Sequence, residues 1–114
     1  MKLITKEIEK QIPKLYEGEN TPLEEKIVYA HYFIPLLNWD WWACEYDPET
    51  KEFFGYANLN NSQMAEWGYF SLTEFEAISQ AYPQCPVERE LNFKPQKILE
   101  IQHPSLQHLQ GDEI

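Results

Sequence analysis

The sequence holds only two cysteines, four glycines and nine basic residues among 114 positions. Cys44 and Cys85 stand far apart, which excludes the close spacing of a disulfide-rich secreted domain or a zinc ribbon. So few glycines leave no loop of the kind that cradles phosphate groups. No apolar run approaches the roughly 18 residues of a membrane span, and residues 1–6 lack the apolar core of a signal peptide. We therefore expect a reduced, cytoplasmic protein without a membrane segment.

Basic residues are scarce beside the nineteen acidic ones, and the formal net charge is -10. The excess lies between Glu17 and Glu76, where twelve acids face only Lys26 and Lys51. Such a field repels phosphate backbones, whose binding depends on neutralisation by Lys and Arg. The charge therefore disfavours direct nucleic-acid binding, and it serves either solubility or a basic protein partner.

The remaining composition is that of a folded protein. Apolar residues make up 43% of the chain and aromatic residues 15%, too many for an intrinsically disordered protein. A chain of 114 residues is long enough for one hydrophobic core. We predict a single domain over residues 1–101, followed by a flexible polar tail over residues 102–114.

Two helix signals precede the first strand. Thr5 is suited to cap a helix that buries Ile8 and Ile12 and ends near Pro13. Its opposite face carries lysines at every fourth position, a pattern typical of a solvated surface: Lys2, Lys6, Lys10 and Lys14. Residues 21–24 read Thr-Pro-Leu-Glu, which predicts a single helical turn.

The central part of the chain is rich in β-branched and aromatic residues. Residues 39–46 and 52–59 flank Asp47-Pro48-Glu49-Thr50, where Asp and Pro occupy type I turn positions, so we predict a hairpin. Further strands are predicted at 27–33, 66–70 and 87–93.

Ser71 and Glu74 form a capping box that predicts a helix over 72–81, and Pro95 is suited to open a short helix through Ile101. The order of elements predicts an α+β fold. It consists of an antiparallel sheet of about four to five strands, with an N-terminal helix and the helix near 72–81 packed on it.

Side-chain alternation along 39–46 divides the aromatic residues between two faces. The more apolar face, which we predict to face the core, carries Trp42, Cys44 and Tyr46. The other face, predicted to be open, combines aromatic and acidic side chains: Trp39, Trp41, Glu45 and Asp47. Alternatively, a terminal helix covers both faces.

Exposed tryptophans beside acids are suited to protein recognition, because tryptophan is a common interface anchor. We predict a non-enzymatic protein that binds a basic protein partner, as a DNA mimic in one form of the hypothesis. The predicted partner-binding residues are Trp39, Trp41, Glu45, Asp47, Glu49 and Glu66.

Two alternative functions remain open. The lysine-striped helix and exposed tryptophans favour a nucleic-acid accessory protein. A carboxylate pair including Glu45 or Glu66 favours a small hydrolase. No metal or cofactor is expected, because the candidate ligands lack metal-site spacing: His31, Cys44, Cys85, His103 and His108.

Several motifs over roughly residues 2–95 occur together as in a known family. They read Trp39-x-Trp41-x-Ala43-x-Glu45-Tyr46-Asp47, Phe53-Phe54-Gly55, Trp67-Gly68-Tyr69-Phe70-Ser71-Leu72-x-Glu74 and Pro86-Val87-Glu88-Arg89-Glu90-Leu91-x-Phe93. The chain resembles the family called domain of unknown function 2958. The resemblance implies a small bacterial or phage protein, often encoded on mobile elements near anti-restriction or DNA-processing genes. It thereby implies an inhibitor of host defence or an accessory to DNA transfer, and it implies no catalytic residues.

Overall fold

The computed structural model describes residues 1–110 and has the predicted α+β fold. The helices are α1 (Lys6–Gln11) and α2 (Leu72–Ala81). The strands are β1 (Ile27–Val28), β2 (Ala30–Ile34), β3 (Trp39–Asp47), β4 (Glu52–Leu59), β5 (Glu66–Ser71), β6 (Glu88–Arg89) and β7 (Gln96–Lys97). Short 3₁₀ helices cover Leu23–Glu25, Pro35–Leu37, Ile98–Glu100 and Pro104–Leu109.

Five of the strands form one antiparallel sheet in the order β5-β4-β3-β2-β6, and β1 pairs separately with β7. The predicted hairpin is confirmed as β3 and β4, the centre of the sheet. The strand predicted at 27–33 is divided, because Val28 pairs with Gln96 whereas Ala30 pairs with Ala43. The strand predicted at 87–93 contains only the two residues of β6 in the described structure. Asn92, which follows it, has a left-handed backbone conformation with a φ of 65°.

The helix caps predicted at Thr5 and Ser71 are confirmed, whereas the 3₁₀ helix Leu23–Glu25 has no side-chain cap. The Thr5 side chain accepts from the Ile8 amide at 3.1 Å, and α1 ends before Pro13. Ser71 and Glu74 make both bonds of the capping box that starts α2. Among residues 1–110, no helix has the length and apolar character to cross a membrane.

The prediction of an open sheet face is wrong, because hydrophobic clusters cover both faces. On one face α2 packs through Phe75 onto a cluster that includes Tyr32, Trp41 and Phe53. On the other face the cluster contains Val28, Trp42, Cys44, Tyr56, Ile98, Ile101 and Leu106. The alternative prediction, that both faces are covered, is therefore confirmed. However, the C-terminal segment covers the second face, and not a terminal α-helix.

That C-terminal segment includes residues predicted to form a flexible tail. Residues 104–109 form a 3₁₀ helix whose Leu106 side chain is fully buried against the sheet. Complete burial of a leucine stabilises the folded state by about 1.5–3 kcal/mol. The composition of residues 102–114 did not predict this packing, because a single leucine among polar residues makes the contact with the sheet. The rest of the predicted tail, residues 111–114, lies outside the described residues.

A β-bulge explains why the predicted alternation fails. The β3–β4 register shifts between Ala43 and Glu45, so Cys44 is an extra residue without a partner in β4. Before the bulge Trp41 and Ala43 share a face, and after it Tyr46 joins them. The predicted core set of Trp42, Cys44 and Tyr46 is thus divided between the two faces. A period-two pattern cannot reveal an inserted residue.

Candidate functional site

The predicted partner-binding residues do not form one surface. Trp41 and Glu45 are buried, whereas Trp39 and Asp47 are half-buried. Trp39 and Asp47 occupy opposite ends of β3, roughly 26 Å apart at about 3.3 Å per residue. Glu49 is exposed in the hairpin turn, and Glu66 is exposed on β5. Of these six, Trp39, Trp41 and Glu66 come together, since all three line one groove beside β5.

Glu45 holds an internal ion pair. Its Oε2 lies 3.0 Å from Lys26 Nζ, and its Oε1 accepts from the Tyr16 amide at 2.9 Å. Lys26 also donates to the Gly18 carbonyl at 2.7 Å. Glu45 therefore links the loop before β1 to the sheet, and both of its carboxylate oxygens are bonded within the protein.

The predicted hydrolase needs two close carboxylates in a cleft. Glu45 pairs with Phe54 across β3 and β4, on the face covered by the C-terminal segment. Glu66 pairs with Ala57 on the opposite face. Glu45 and Glu66 therefore lie on opposite faces of the sheet.

A buried histidine connects three parts of the fold. His31 Nε2 lies 2.7 Å from Asp40 Oδ1, and His31 Nδ1 lies 2.7 Å from Glu90 Oε1. The ring stacks on Trp42 with a centroid distance of 3.7 Å and an interplanar angle of 3°. Each ring nitrogen of His31 thus has a carboxylate oxygen within hydrogen-bond distance, and these contacts join β2, β3 and the segment after β6.

Sequence spacing did not reveal these neighbours of His31, because Asp40 lies on β3, Glu90 follows β6 and His103 precedes the last 3₁₀ helix. His31, Asp40 and His103 place their ligand atoms within 4.8 Å of one another, as a metal site would. However, His103 Nδ1 accepts from the Ser105 amide at 3.0 Å, which places the ring proton on Nε2. That nitrogen, 3.6 Å from Asp40 Oδ1, is therefore a donor and not a metal ligand.

Zinc is expected not to stabilise the protein, since His103 directs its Nε2 proton toward Asp40. The melting temperature of chelator-treated protein should be the same with and without added Zn²⁺. A metal held at hundredfold excess over its Kd would instead add about 2.7 kcal/mol of stability. A rise in melting temperature that is abolished by His103→Asn would contradict this expectation.

His103 should make stability depend on pH. Burial lowers the pKa of His103 below 6.5, and His31 acts in the same direction while Asp40 and Glu90 raise it. The unfolded chain therefore binds this proton more readily, so stability falls as pH drops through about 6.5. His103→Asn keeps a good helix-capping residue and should reduce the loss of stability between about pH 7.5 and pH 5. Urea denaturation at both pH values would test this, and an unchanged or larger loss in the variant would contradict it.

Strand β5 is an edge strand without the usual protection. In the part of the chain that the structure describes, it pairs only with β4, through six consecutive residue pairs without a register shift. Natural edge strands are shielded by lysine, proline, bulges or short length, because unpaired backbone groups invite another strand. Its sequence, Glu66-Trp67-Gly68-Tyr69-Phe70-Ser71, contains neither lysine nor proline. The opposite edge, β6, is only two residues long.

Aromatic side chains flank β5 on the face covered by the C-terminal segment. Tyr69 is 52% exposed and Tyr16 is 62% exposed, with ring centroids 6.5 Å apart. Phe54 contacts both Tyr69 and Trp67, at centroid distances of 5.3 and 5.9 Å. These rings form an exposed aromatic strip beside the edge.

On the other face a groove of about 560 Å³ separates β5 from α2. Its apolar lining includes Trp39, Trp41, Phe75 and Ile78, and Glu66 and Glu74 add negative charge. A methyl group added at Gly68 would meet no atom within 4 Å, so the centre of the strand is open. A peptide along β5 would thus meet apolar and acidic side chains together.

The sequence itself shows that the segment containing β5 has acidic but no basic residues. No lysine, arginine or histidine occurs from Glu52 to Glu88, a stretch that includes β4, β5 and α2. Its five acidic residues are Glu52, Glu66, Glu74, Glu76 and Glu88. The longest base-free segment therefore coincides with the open edge.

A family model described as protein of unknown function (DUF2958) matches residues 3–104. No curated protein and no solved structure gives a significant match. The predicted resemblance is confirmed, and the match continues into the segment that covers the second sheet face. The chain belongs to the DUF2958 family.

Proposed function

We propose that the protein is a non-enzymatic binding module that pairs β5 with a strand of a basic protein partner. The observation that carries this proposal is the unprotected edge strand within the longest base-free segment of the chain. Strand addition obtains affinity from main-chain hydrogen bonds and specificity from flanking pockets. Here the groove beside Gly68 and the aromatic strip at Tyr69 provide those flanks.

The side chains around β5 indicate what the partner strand carries. Residues toward the groove meet Trp39 and Ile78 beside the carboxylates of Glu66 and Glu74. Aliphatic and cationic residues match such a lining, and lysine and arginine combine an apolar stem with a charged head. Residues toward the strip meet Tyr16 and Tyr69, whose rings are suited to stack on arginine. Opposite charge also accelerates encounter and makes binding sensitive to salt.

A basic partner agrees with the setting that the family resemblance implies, because proteins that bind DNA carry basic surfaces. In this form of the proposal, the protein comes from a phage or another mobile element. It inhibits a host-defence or DNA-processing protein in the cytoplasm and competes with DNA for it. The free thiols of Cys44 and Cys85 agree with a reducing compartment.

The nucleic-acid alternative has less support. The lysines of α1 alternate with Glu7 and Glu9, so this surface has mixed charge. Trp41 and Trp42 are buried in the two clusters and are not available for stacking on bases. A basic protein is therefore the better-supported partner.

Selection from a random peptide library tests the proposal. We expect enrichment of peptides that alternate Lys or Arg with aliphatic residues, and weaker binding as salt increases. Glu66→Lys/Tyr69→Lys should weaken binding of the selected peptides at least about tenfold, since it adds charges that protect an edge strand.

The charge-matched control is Glu24→Lys/Glu25→Gln, which changes exposed acids in a 3₁₀ helix away from β5. This control should retain most of the affinity. Circular dichroism would establish that both variants are folded. Equal losses in the two variants would show that only net charge matters, and the β5 site would be rejected.

A further inference from the structure

The hydroxyl group of Tyr46 has no hydrogen-bond partner among residues 1–110. Tyr32, Tyr46 and Tyr56 are all at most 3% exposed. Tyr32 donates to the Leu3 carbonyl at 2.6 Å, and Tyr56 contacts His108 Nε2 at 2.6 Å. Within residues 1–110 no such contact exists for Tyr46. Because buried tyrosine hydroxyls usually have a partner, this exception needs an explanation.

Tyr46 lines a pocket of about 600 Å³ between the N-terminal segment, the β3–β4 hairpin and α2. This volume lies within the range of about 300–1,000 Å³ that is common for small-ligand sites. The apolar part of the lining consists of Leu3, Ile4, Leu72 and Val87. The pocket therefore combines apolar walls with Tyr46, whose hydroxyl group has no hydrogen-bond partner within the described chain.

Carboxylates lie close enough to this hydroxyl group to affect it. Burial, together with the carboxylates of Glu9, Asp47 and Glu76, raises the pKa of Tyr46. Glu88 and the cationic residues Lys2 and Lys51 also line the pocket. Beside the carboxylates of Glu9 and Glu76, a positively charged donor matches the hydroxyl group better than an anion.

We propose that the Tyr46 pocket binds an aliphatic ammonium group. The ammonium donates to the Tyr46 hydroxyl oxygen and lies near the carboxylates of Glu9 and Glu76. Its hydrocarbon stem packs on Leu72 and Val87. A free alkyl amine and a lysine side chain share this chemistry.

This site does not rest on the β5 proposal. The pocket uses Leu72, Glu76 and Ser79 of α2, whereas the groove beside β5 uses Phe75 and Ile78. The two sites therefore lie on different faces of the helix, and Tyr46→Phe should leave binding of β5-selected peptides unchanged.

Titration followed by methyl NMR tests the pocket, with n-pentylamine and N-acetyl-lysine amide as probes and n-pentanol as the neutral control. We expect shifts at the methyl groups of Leu3, Ile4, Leu72 and Val87. At least one amine should bind about tenfold or more tightly than pentanol. Pentylamine binding alone would assign a free amine, and binding of the lysine amide alone would assign a side chain.

Tyr46→Phe keeps the ring and removes only the unpaired hydroxyl group, so it should fold normally and weaken amine binding about tenfold. Glu76→Gln should also weaken it, whereas Glu100→Gln, an exposed acid outside the pocket, should not. Equal binding of pentanol and the amines would overturn the proposal. So would an unchanged affinity of Tyr46→Phe, or absence of binding by both amines.

Discussion

Lys26→Met is expected to lower the free energy of unfolding by about 3–5 kcal/mol, because it leaves the Glu45 carboxylate buried without its counter-ion. Lys26 is 6% exposed and Glu45 is 5% exposed, with 3.0 Å between the charged atoms. The Tyr16 amide still donates to Glu45 but cannot neutralise it. Urea denaturation measures the loss.

Lys26→Met/Glu45→Gln is the matched control, since it removes both charges of the pair. It should recover much of the stability lost in the single variant, because the remaining side chain is neutral. A loss below about 1 kcal/mol in Lys26→Met would be typical of a surface ion pair and would contradict the structural role. Glu45 also accepts from the Tyr16 amide, and Tyr16 in turn lies beside Tyr69.

Gly55→Ala is expected to cost more than about 3 kcal/mol or to prevent folding. A Cβ at this position would lie 2.0 Å from the Trp42 carbonyl oxygen and 3.0 Å from Ala43 Cα. Both atoms belong to the backbone of β3 next to the bulge, so neither can move aside as a flexible side chain can. Gly55 pairs with Ala43 on one side and Gly68 on the other, so the strain falls at the centre of the sheet.

Gly68→Ala is the matched control in the neighbouring strand. Its added methyl group would meet no atom within 4 Å. Replacing glycine where the backbone accepts alanine stabilises by about 0.4–1 kcal/mol, through reduced entropy of the unfolded chain. Thermal and urea unfolding of both variants would compare them. Similar losses at Gly55 and Gly68 would contradict the close approach at the bulge.

Elements with signals confined to a few neighbouring residues were predictable from the sequence. Thr5 and the Ser71–Glu74 box each satisfy free amides at a helix start, and the interactions span three residues. Asp47 likewise accepts from the Glu49 amide at 2.9 Å and helps to form the hairpin turn. These contacts need no tertiary structure to specify them.

Features that depend on distant residues were not predictable in this way. The bulge at Cys44 reverses which sheet face the following side chains occupy. Glu45, predicted to lie on an open surface, therefore forms a buried ion pair with Lys26. Coverage of the second face depends on Leu106, far along the chain from Trp42. The contacts of His31 likewise bring together residues nine and 59 positions away.

The candidate binding site was predictable only in part. Glu66 was identified because acidic and aromatic residues surround it in the sequence. That β5 is an edge strand follows from the strand order, which a single strand pattern does not contain. The base-free stretch from Glu52 to Glu88 indicated where the charge lies but not which backbone is open.

Amide hydrogen exchange with a library-selected basic peptide tests the central claim most directly. If the peptide adds a strand to β5, amides within Glu66–Ser71 should exchange more slowly in the complex, because newly paired backbone groups are protected. The amides of α1 and β6 should be unaffected. Protection at those elements, with unchanged exchange in β5, would contradict the proposed binding mode.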